Sequence, residues 1–343
     1  MLHRKKMNTI LHETVDVQGL TANTETTEKG AMSNAQVFNN AIGASGITVL
    51  SLFDGISCGR QALKELDVKV DRYYASEIDT YAIDVALENH PNIIEIGDVE
   101  KWREWDIDWG SIDLLIGGSP CQGFSFSGKK LYFNDERSKL IFCFIDILNH
   151  IKSVNPNVKF LLENVKMNKK CKVVIDSHVG VEGVSINSNL FSAQNRDRIY
   201  WTNLPIAELP SRNEAVLQDV IEEDADDKPK LYLTERHLNG FLKSYKWKPN
   251  LLTEKSKPIL ASYHKQPPHC PYIRRTRRLG IDKYSDYRRL SPTECERLQM
   301  LPIGYTEKGS SGSSISDSQR YKMLGNGWTV GAVKHIFSSL NAA

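Results

Sequence analysis

The run Ile47-Thr48-Val49-Leu50-Ser51-Leu52-Phe53-Asp54-Gly55-Ile56-Ser57-Cys58-Gly59 joins an apolar stretch to a glycine-bearing turn. Ile47 to Phe53 reads as a buried strand, and Asp54 to Gly59 as the turn that ends it. A helical stretch follows to about Leu66. Glycine has no side chain to block a ligand, so Gly55 and Gly59 allow backbone to approach one closely.

The same unit recurs along the chain. A second strand is expected at Arg72 to Glu77, with a helix over Tyr81–Asn89. A short strand leads into Gly97-Asp98-Val99. A fourth covers Asp113 to Ile116 and ends at Gly117-Gly118-Ser119-Pro120-Cys121. The helix expected from Glu136 to Val154 places Leu140, Ile141, Phe144, Ile145, Leu148 and Ile151 on one face. A fifth strand, Lys159 to Leu162, ends at Glu163-Asn164-Val165, and further strands are expected near 181–187 and 198–203. This alternation predicts an α/β fold, a doubly wound and mostly parallel sheet over residues 46–203. Residues 1–45 are polar and aperiodic and read as a tail. Residues 204–290 carry an acidic run, Glu222 to Asp227, with scattered aromatics and prolines, and read as a smaller, loop-rich domain. Residues 291–343 return to the first domain. There Ser291, Pro292 and Glu294 supply an N-cap, a first-turn proline and the N3 carboxylate of a capping box.

In doubly wound sheets, ligands bind at the carboxyl ends of the strands. Asp54, Gly55, Glu77, Asp98, Cys121 and Glu163 all fall there. Glu77 lies at the end of the second strand, where a carboxylate can bind both hydroxyls of a ribose. The turn is not GxGxxG, so a nucleoside without pyrophosphate fits better than a dinucleotide. Asp98 can accept from an adenine amino group. Cys121, on a glycine-rich approach at the rim, is a candidate nucleophile, the bland alternative being a core cysteine. Glu163, at the neighbouring strand end, can donate a proton to a substrate base. In Gln194-Asn195-Arg196-Asp197-Arg198, the two arginines point to opposite faces if extended, one toward the site and one buttressing the loop.

The chain has 343 residues, 40% apolar and 25% charged, with a net charge of +2. Those values fit a globular protein, and without a long apolar run or an apolar stretch in the first thirty residues, neither a membrane span nor a signal segment is expected. Six cysteines, widely spaced and without a CxxC pair, argue against a disulfide framework and a zinc site. A reducing, cytoplasmic location is expected. From Pro267 to Arg289, seven basic residues face two acidic ones, a local excess of +5. Such a cluster can meet a polyanion such as nucleic acid, or form a solvated face.

Taken together over residues 47–340, these motifs resemble the DNA cytosine-5 methyltransferases. The matching stretches are Phe53-Asp54-Gly55-Ile56 with Gly59, Gly118-Ser119-Pro120-Cys121-Gln122-Gly123-Phe124-Ser125, Glu163-Asn164-Val165, Gln194-x-Arg196-x-Arg198, and Arg289 to Arg297. Gly325-Asn326-Gly327-Trp328 departs from the Gly-Asn-Ser-Val common in bacterial members, and its Trp is similar to the de novo type. The resemblance implies a Rossmann-like, class I S-adenosyl-L-methionine-dependent fold, with residues 204–290 as a target-recognition domain. It implies methyl transfer to carbon 5 of a flipped-out cytosine in duplex DNA. Cys121 would attack carbon 6, with Glu163, Arg196 and Arg198 completing the catalytic set. S-adenosylmethionine would lie against Phe53, Asp54, Gly55 and Ile56, then Glu77 and Ile78, Asp98 and Val99, Pro120, and Asn326, Gly327 and Trp328. Gln122, Ser125, Arg274, Arg275, Arg277 and Arg278 would contact DNA. A monomeric enzyme encoded by a bacterium or phage, in restriction-modification or a related role, is expected. Cytosine-5 methyltransferases of tRNA share these signatures. A catalytically inactive homologue would lack the nucleophile, the glutamate or the arginine, and all three candidates are present.

Overall fold

Ile47–Leu52 forms strand β1, and every one of its residues is buried, as a strand covered by helices on both faces requires. A computed structural model describes residues 46–120, 136–243, 247–275 and 284–340. Ile47 and Val49 face one apolar cluster with Ala62, Val85 and Val333. Leu50 and Leu52 face the other, with Phe144, Leu148 and Ile175. The seven-stranded sheet has the order β3-β2-β1-β4-β5-β7-β6. The remaining strands are β2 (Val70–Ser76), β3 (Ile93–Glu95), β4 (Leu114–Gly118), β5 (Lys159–Val165), β6 (Val184–Asn187) and β7 (Asp197–Thr202). β2, β4 and β5 continue the parallel arrangement from β1, and the order reverses between β1 and β4, opening a crevice at the strand ends.

The mostly parallel, doubly wound expectation holds through β5. β7 then runs antiparallel to both β5 and β6. The reason is the connection: β6 and β7 are joined by residues 188–196 alone, with a single 3-10 turn, Ser188–Leu190. A parallel crossover needs about a dozen residues or more. The beginning of β7, rather than its end, therefore meets the rim formed by the other strands.

The helices on the sheet are α1 (Cys58–Glu65), α2 (Thr80–Asn89), α3 (Glu136–Val154) and α4 (Lys169–Val179). The bounds of α3 are those expected from its apolar spacing; α4, with lysines among its valines, has no counterpart among the expected elements. Residues 204–290 contain α5 (Glu235–Leu242) and a three-stranded antiparallel sheet of β8 (Tyr232–Thr234), β10 (Tyr284–Arg289) and β9 (Tyr272–Arg274). Leu217, Leu233, Phe241 and Ile273 from this segment join the same cluster as Val49 and Val333. The last helices are α6 (Pro292–Gln299), α7 (Asp317–Asn326) and α8 (Val330–Phe337). The capping box on α6 is formed: Ser291 Oγ accepts from Glu294 N at 3.1 Å, and Glu294 Oε2 accepts from Ser291 N at 2.7 Å. Asn326 is the last residue of α7.

Arg288, fully buried, ties the small sheet to α6. Its Nη1 and Nη2 each reach Glu294 at 2.8 Å, and its Nε reaches Asp226 at 2.7 Å. Removing one partner of such a network leaves the others charged and unpaired in the interior. Arg288→Met is expected to lower unfolding stability in urea by about 3–5 kcal/mol. Arg288→Met combined with Asp226→Asn and Glu294→Gln should recover part of that loss. A triple variant no more stable than the single one would show that the ion network is not the source.

Candidate functional site

Asp54, Gly55, Glu77, Asp98 and Glu163 all lie within the described residues, and the turn after β1 holds the first two. Phe53, Gly55 and Ser57 all have positive φ, +56°, +58° and +56°. Glycine adopts this at no steric cost, but Phe53 and Ser57 do not, so something must hold them. Asp54 does: its carboxylate accepts from Ser51 Oγ at 2.5 Å, from Tyr73 OH at 2.7 Å, and from Ser57 Oγ. Burial outweighs these bonds and raises the Asp54 carboxyl to about 6. Glu77 closes the turn from β2. Its Oε2 accepts from Gly55 N at 2.8 Å, and its Oε1 from Ile78 N at 2.8 Å and Asp79 N at 2.9 Å. A carboxylate has about four lone-pair sites, so Glu77 retains acceptor capacity. Ile78 beside it is 74% exposed, an apolar side chain presented to solvent.

From the β3 side, Asp98 accepts from Glu100 N at 3.0 Å and so caps the 3-10 turn Val99–Glu104; Val99 itself is buried. Glu95, which the sequence did not single out, has both carboxylate oxygens enclosed and without a hydrogen-bond partner among the described residues. Burial, then the charges of Asp54 and Glu77, raise it to about 7. The ends of β1, β2 and β3 thus gather three carboxylates. Among the described residues no cation of the chain is bonded to Asp54, Glu77 or Glu95.

The other half of the site lies across β4, β5 and β7. β5 extends through Val165, so Glu163 sits inside it, opposite Gly118 of β4 and Tyr200 of β7. Arg198 Nε pairs with Glu163 Oε1 at 3.0 Å, and Trp328 Nε1 donates to Glu163 Oε2 at 3.0 Å. Asn164 is buried and donates to Ser119 O at 3.2 Å and Ser119 Oγ at 3.0 Å. It thereby fixes the residue before Pro120, a role with no local sequence signal beyond the Glu-Asn-Val stretch itself. Cys121 follows Pro120 directly in the chain and, with Gln122, Ser125, Arg277 and Arg278, lies outside the described residues. Cys58, at the start of α1, is buried, and burial pushes its thiol up to about 12, which disfavours the nucleophilic thiolate.

Two expectations need correction. Arg196 does not join the catalytic set. It is 3% exposed, and its guanidinium donates to Ile259 O, Gly325 O and Gly327 O, each at 2.9 Å. Of the alternating pair, Arg198 is the one at the site and Arg196 the buttress. Arg275 is likewise engaged inside the protein, its Nε on Asp226 at 2.5 Å. Arg274, 67% exposed, pairs with Asp286 at the looser distance of 3.6 Å. Gly327 lies against the first turn, where an added Cβ would fall 3.3 Å from Cys58 Sγ and 3.7 Å from Ile56 Cδ1. Trp328 Nε1 donates to Glu163, and its ring edge lies beside Gly59 at the first turn. Among the described residues, no group of His, Cys, Asp and Glu could hold a metal, and no helix is long and apolar enough to cross a membrane.

Comparison with known proteins gives a consistent result. The family profile of the C-5 cytosine-specific DNA methylases matches residues 47–342. The orphan methyltransferase M.Rho11sI of Bacillus phage rho11s is 33% identical over 235 residues, covering 64% of this chain and 44% of that protein. The type II methyltransferase M1.ScrFI of Lactococcus lactis subsp. cremoris is 29% identical over 320 residues, 84% of this chain and 76% of that protein. The chain spans about half the length of the phage relatives it matches. Among solved structures, S. pombe Dnmt2 methyltransferase superposes with a TM-score of 0.64 at 17% identity, covering 86% of this chain and 98% of that one. The Entamoeba histolytica methyltransferase EhMeth gives 0.66 at 13%, with coverages of 86% and 98%. At such identities the likeness is one of fold.

The raised Asp54 carboxyl makes stability depend on pH. Below its unfolded value of 3.8, Asp54 is protonated in both states. Between there and about 6 the unfolded chain has released the proton while the folded one still holds it, so stability falls as pH rises. Relative to Asp54→Asn, the wild type should lose about 2–3 kcal/mol between pH 4 and pH 7, read from urea midpoints. Parallel curves for the two proteins would refute the assignment.

Proposed function

The chain belongs to the C-5 cytosine-specific DNA methylases, and from that we propose that it methylates carbon 5 of a flipped-out cytosine in a short duplex DNA sequence, with Cys121 as nucleophile. The observation that carries this reading is Glu163, paired with Arg198 at 3.0 Å on the strand beside Ser119-Pro120, immediately before Cys121.

The rim of β1, β2 and β3 fits S-adenosylmethionine. The Glu95 carboxyl, close enough to Asp54 and Glu77 to feel their charge, places acidic groups behind the rim where a sulfonium cation would sit. Glu77 has acceptor capacity left for ribose hydroxyls, the exposed Ile78 offers an apolar face for adenine, and Asp98 an acceptor for its amino group. When bound, the cofactor supplies an electrophilic methyl group. The protein's own residues make the cytosine able to take it. Cys121 thiolate adds to carbon 6, and the ring electrons shift so that carbon 5 becomes enamine-like. Glu163 protonates or hydrogen-bonds ring nitrogen 3, and Arg198 holds the base's carbonyl oxygen. Loss of the carbon 5 proton then expels Cys121 and restores the ring. The base must leave the stack for any of this to occur.

Residues 204–290 serve in this reading as the target-recognition domain. Arg274, Arg277 and Arg278 meet phosphates there, and Arg275 acts through the fold. Neutralising those three should flatten the salt dependence of DNA binding, by about 0.9 in log–log slope for each phosphate left without its arginine. An unchanged slope would make them a solvated face.

Bisulfite sequencing of DNA from an expressing host identifies the methylated site. Duplex DNA with 5-fluorocytosine in that site should then trap the enzyme, because fluorine cannot leave as a cation. The adduct should survive denaturing electrophoresis, require S-adenosylmethionine, and be absent in Cys121→Ser. An enzyme that methylates the site yet forms no adduct would exclude the nucleophilic mechanism, and methylation of tRNA but not DNA would reassign the substrate.

A further inference from the structure

We propose that Trp328 is a positioning residue for Glu163, fixing the carboxylate that acts on the cytosine ring; this rests on the function proposed above. The contact is built from several sides. The indole Nε1 donates to Glu163 Oε2 at 3.0 Å while Arg198 holds Oε1 at 3.0 Å, so each oxygen has its own donor. A glutamate side chain has considerable rotational freedom, and two donors at different oxygens fix both its direction and the plane of its carboxylate. Room for the indole comes from Gly118: an added Cβ would sit 2.7 Å from Trp328 Nε1 and 3.0 Å from Glu163 Oε2.

The backbone on either side of Trp328 is anchored. Gly327 O accepts from Arg196 Nη2 at 2.9 Å and from Gln299 Nε2 at 3.1 Å. Thr329 Oγ1 donates to Gln299 Oε1 at 2.8 Å and accepts from Ser188 Oγ at 2.8 Å. The far edge of the indole packs toward α1, where a Cβ on Gly59 would lie 3.4 Å from Trp328 Cζ3. The ring is thus held at its backbone and at its far edge, and its one polar atom is delivered to Glu163. This also gives the buried Arg196 a purpose, since it holds the peptide from which the indole projects.

The positioning role predicts a loss in turnover rather than in binding. Trp328→Phe keeps an aromatic ring but removes the N–H, together with the outer edge of the indole that packs toward α1. Its kcat should fall about tenfold, as for loss of a hydrogen bond to a charged group. Dissociation constants for S-adenosylmethionine and for DNA should stay within about twofold of wild type. Wild-type kcat in a folded Trp328→Phe protein would overturn the proposal. A second measurement needs neither activity nor that variant. In protein with 15N-labelled tryptophan, Glu163→Gln should shift the indole N–H resonance of Trp328, because the charged acceptor becomes a neutral amide. An unmoved resonance would also overturn the proposal. If the wild type methylates no DNA at all, the function reading falls, and the resonance still decides whether Trp328 holds Glu163.

Discussion

The reversal of β7 is the constraint from which the site follows. The short link 188–196 cannot carry the chain back across the sheet, so β7 enters at the rim where its neighbours leave. Its first residues therefore stand where ligands of a doubly wound sheet are handled. Arg196 and Arg198 flank Asp197 and diverge. Arg198 turns to Glu163 on the adjoining strand. Arg196 turns inward to carbonyls that include Gly325 in the last turn of α7, the end at which a helix dipole favours a cation. One strand entry supplies both the cation of the site and the anchor that binds the C-terminal helices to it.

Much of this was legible in the sequence, for physical reasons that can be named. The βα units announce themselves because each buried strand is a short apolar run closed by turn residues. α3 and α6 announce themselves through helical spacing and a capping box. The direction of β7 was available only in the spacing between two weak strand signals. The small sheet was not legible, since β8 and β9 are three residues each and its attachment to α6 includes ion pairs of Arg288 rather than an apolar pattern alone. In the site, strand-end placement revealed Glu77 and Glu163. Glu95 stayed hidden because burial, not residue type, makes it unusual. Trp328 meets Glu163 across 165 positions, a pairing no local pattern records.

The acidic residues divide into two populations by their surroundings. Asp226, Glu294 and Glu296 are buried, and each is matched by an arginine, Arg288 for the first two and Arg320 for the third. These carboxylates hold the C-terminal segments together. Asp54 and Glu95, at the strand ends, lack such a partner among the described residues, and burial raises both. The scaffold thus neutralises its buried carboxylates around the C-terminal segments and leaves two without a cationic partner at the strand-end rim, where burial favours their protonated forms.

The missing side chain at Gly118 has an evolutionary consequence. Its Cβ space is filled by the indole of Trp328 and the carboxylate of Glu163, residues far away in the chain. Which amino acid position 118 tolerates is therefore conditional on what stands at 328. With tryptophan there, the door to alanine at 118 is shut. A lineage that first shortens residue 328 removes the tighter of the two obstacles, leaving the Glu163 carboxylate to give by a few tenths of an ångström, and in doing so makes the return to tryptophan a clash. The two positions should change as a pair and in a fixed order, so that the history of one constrains the other.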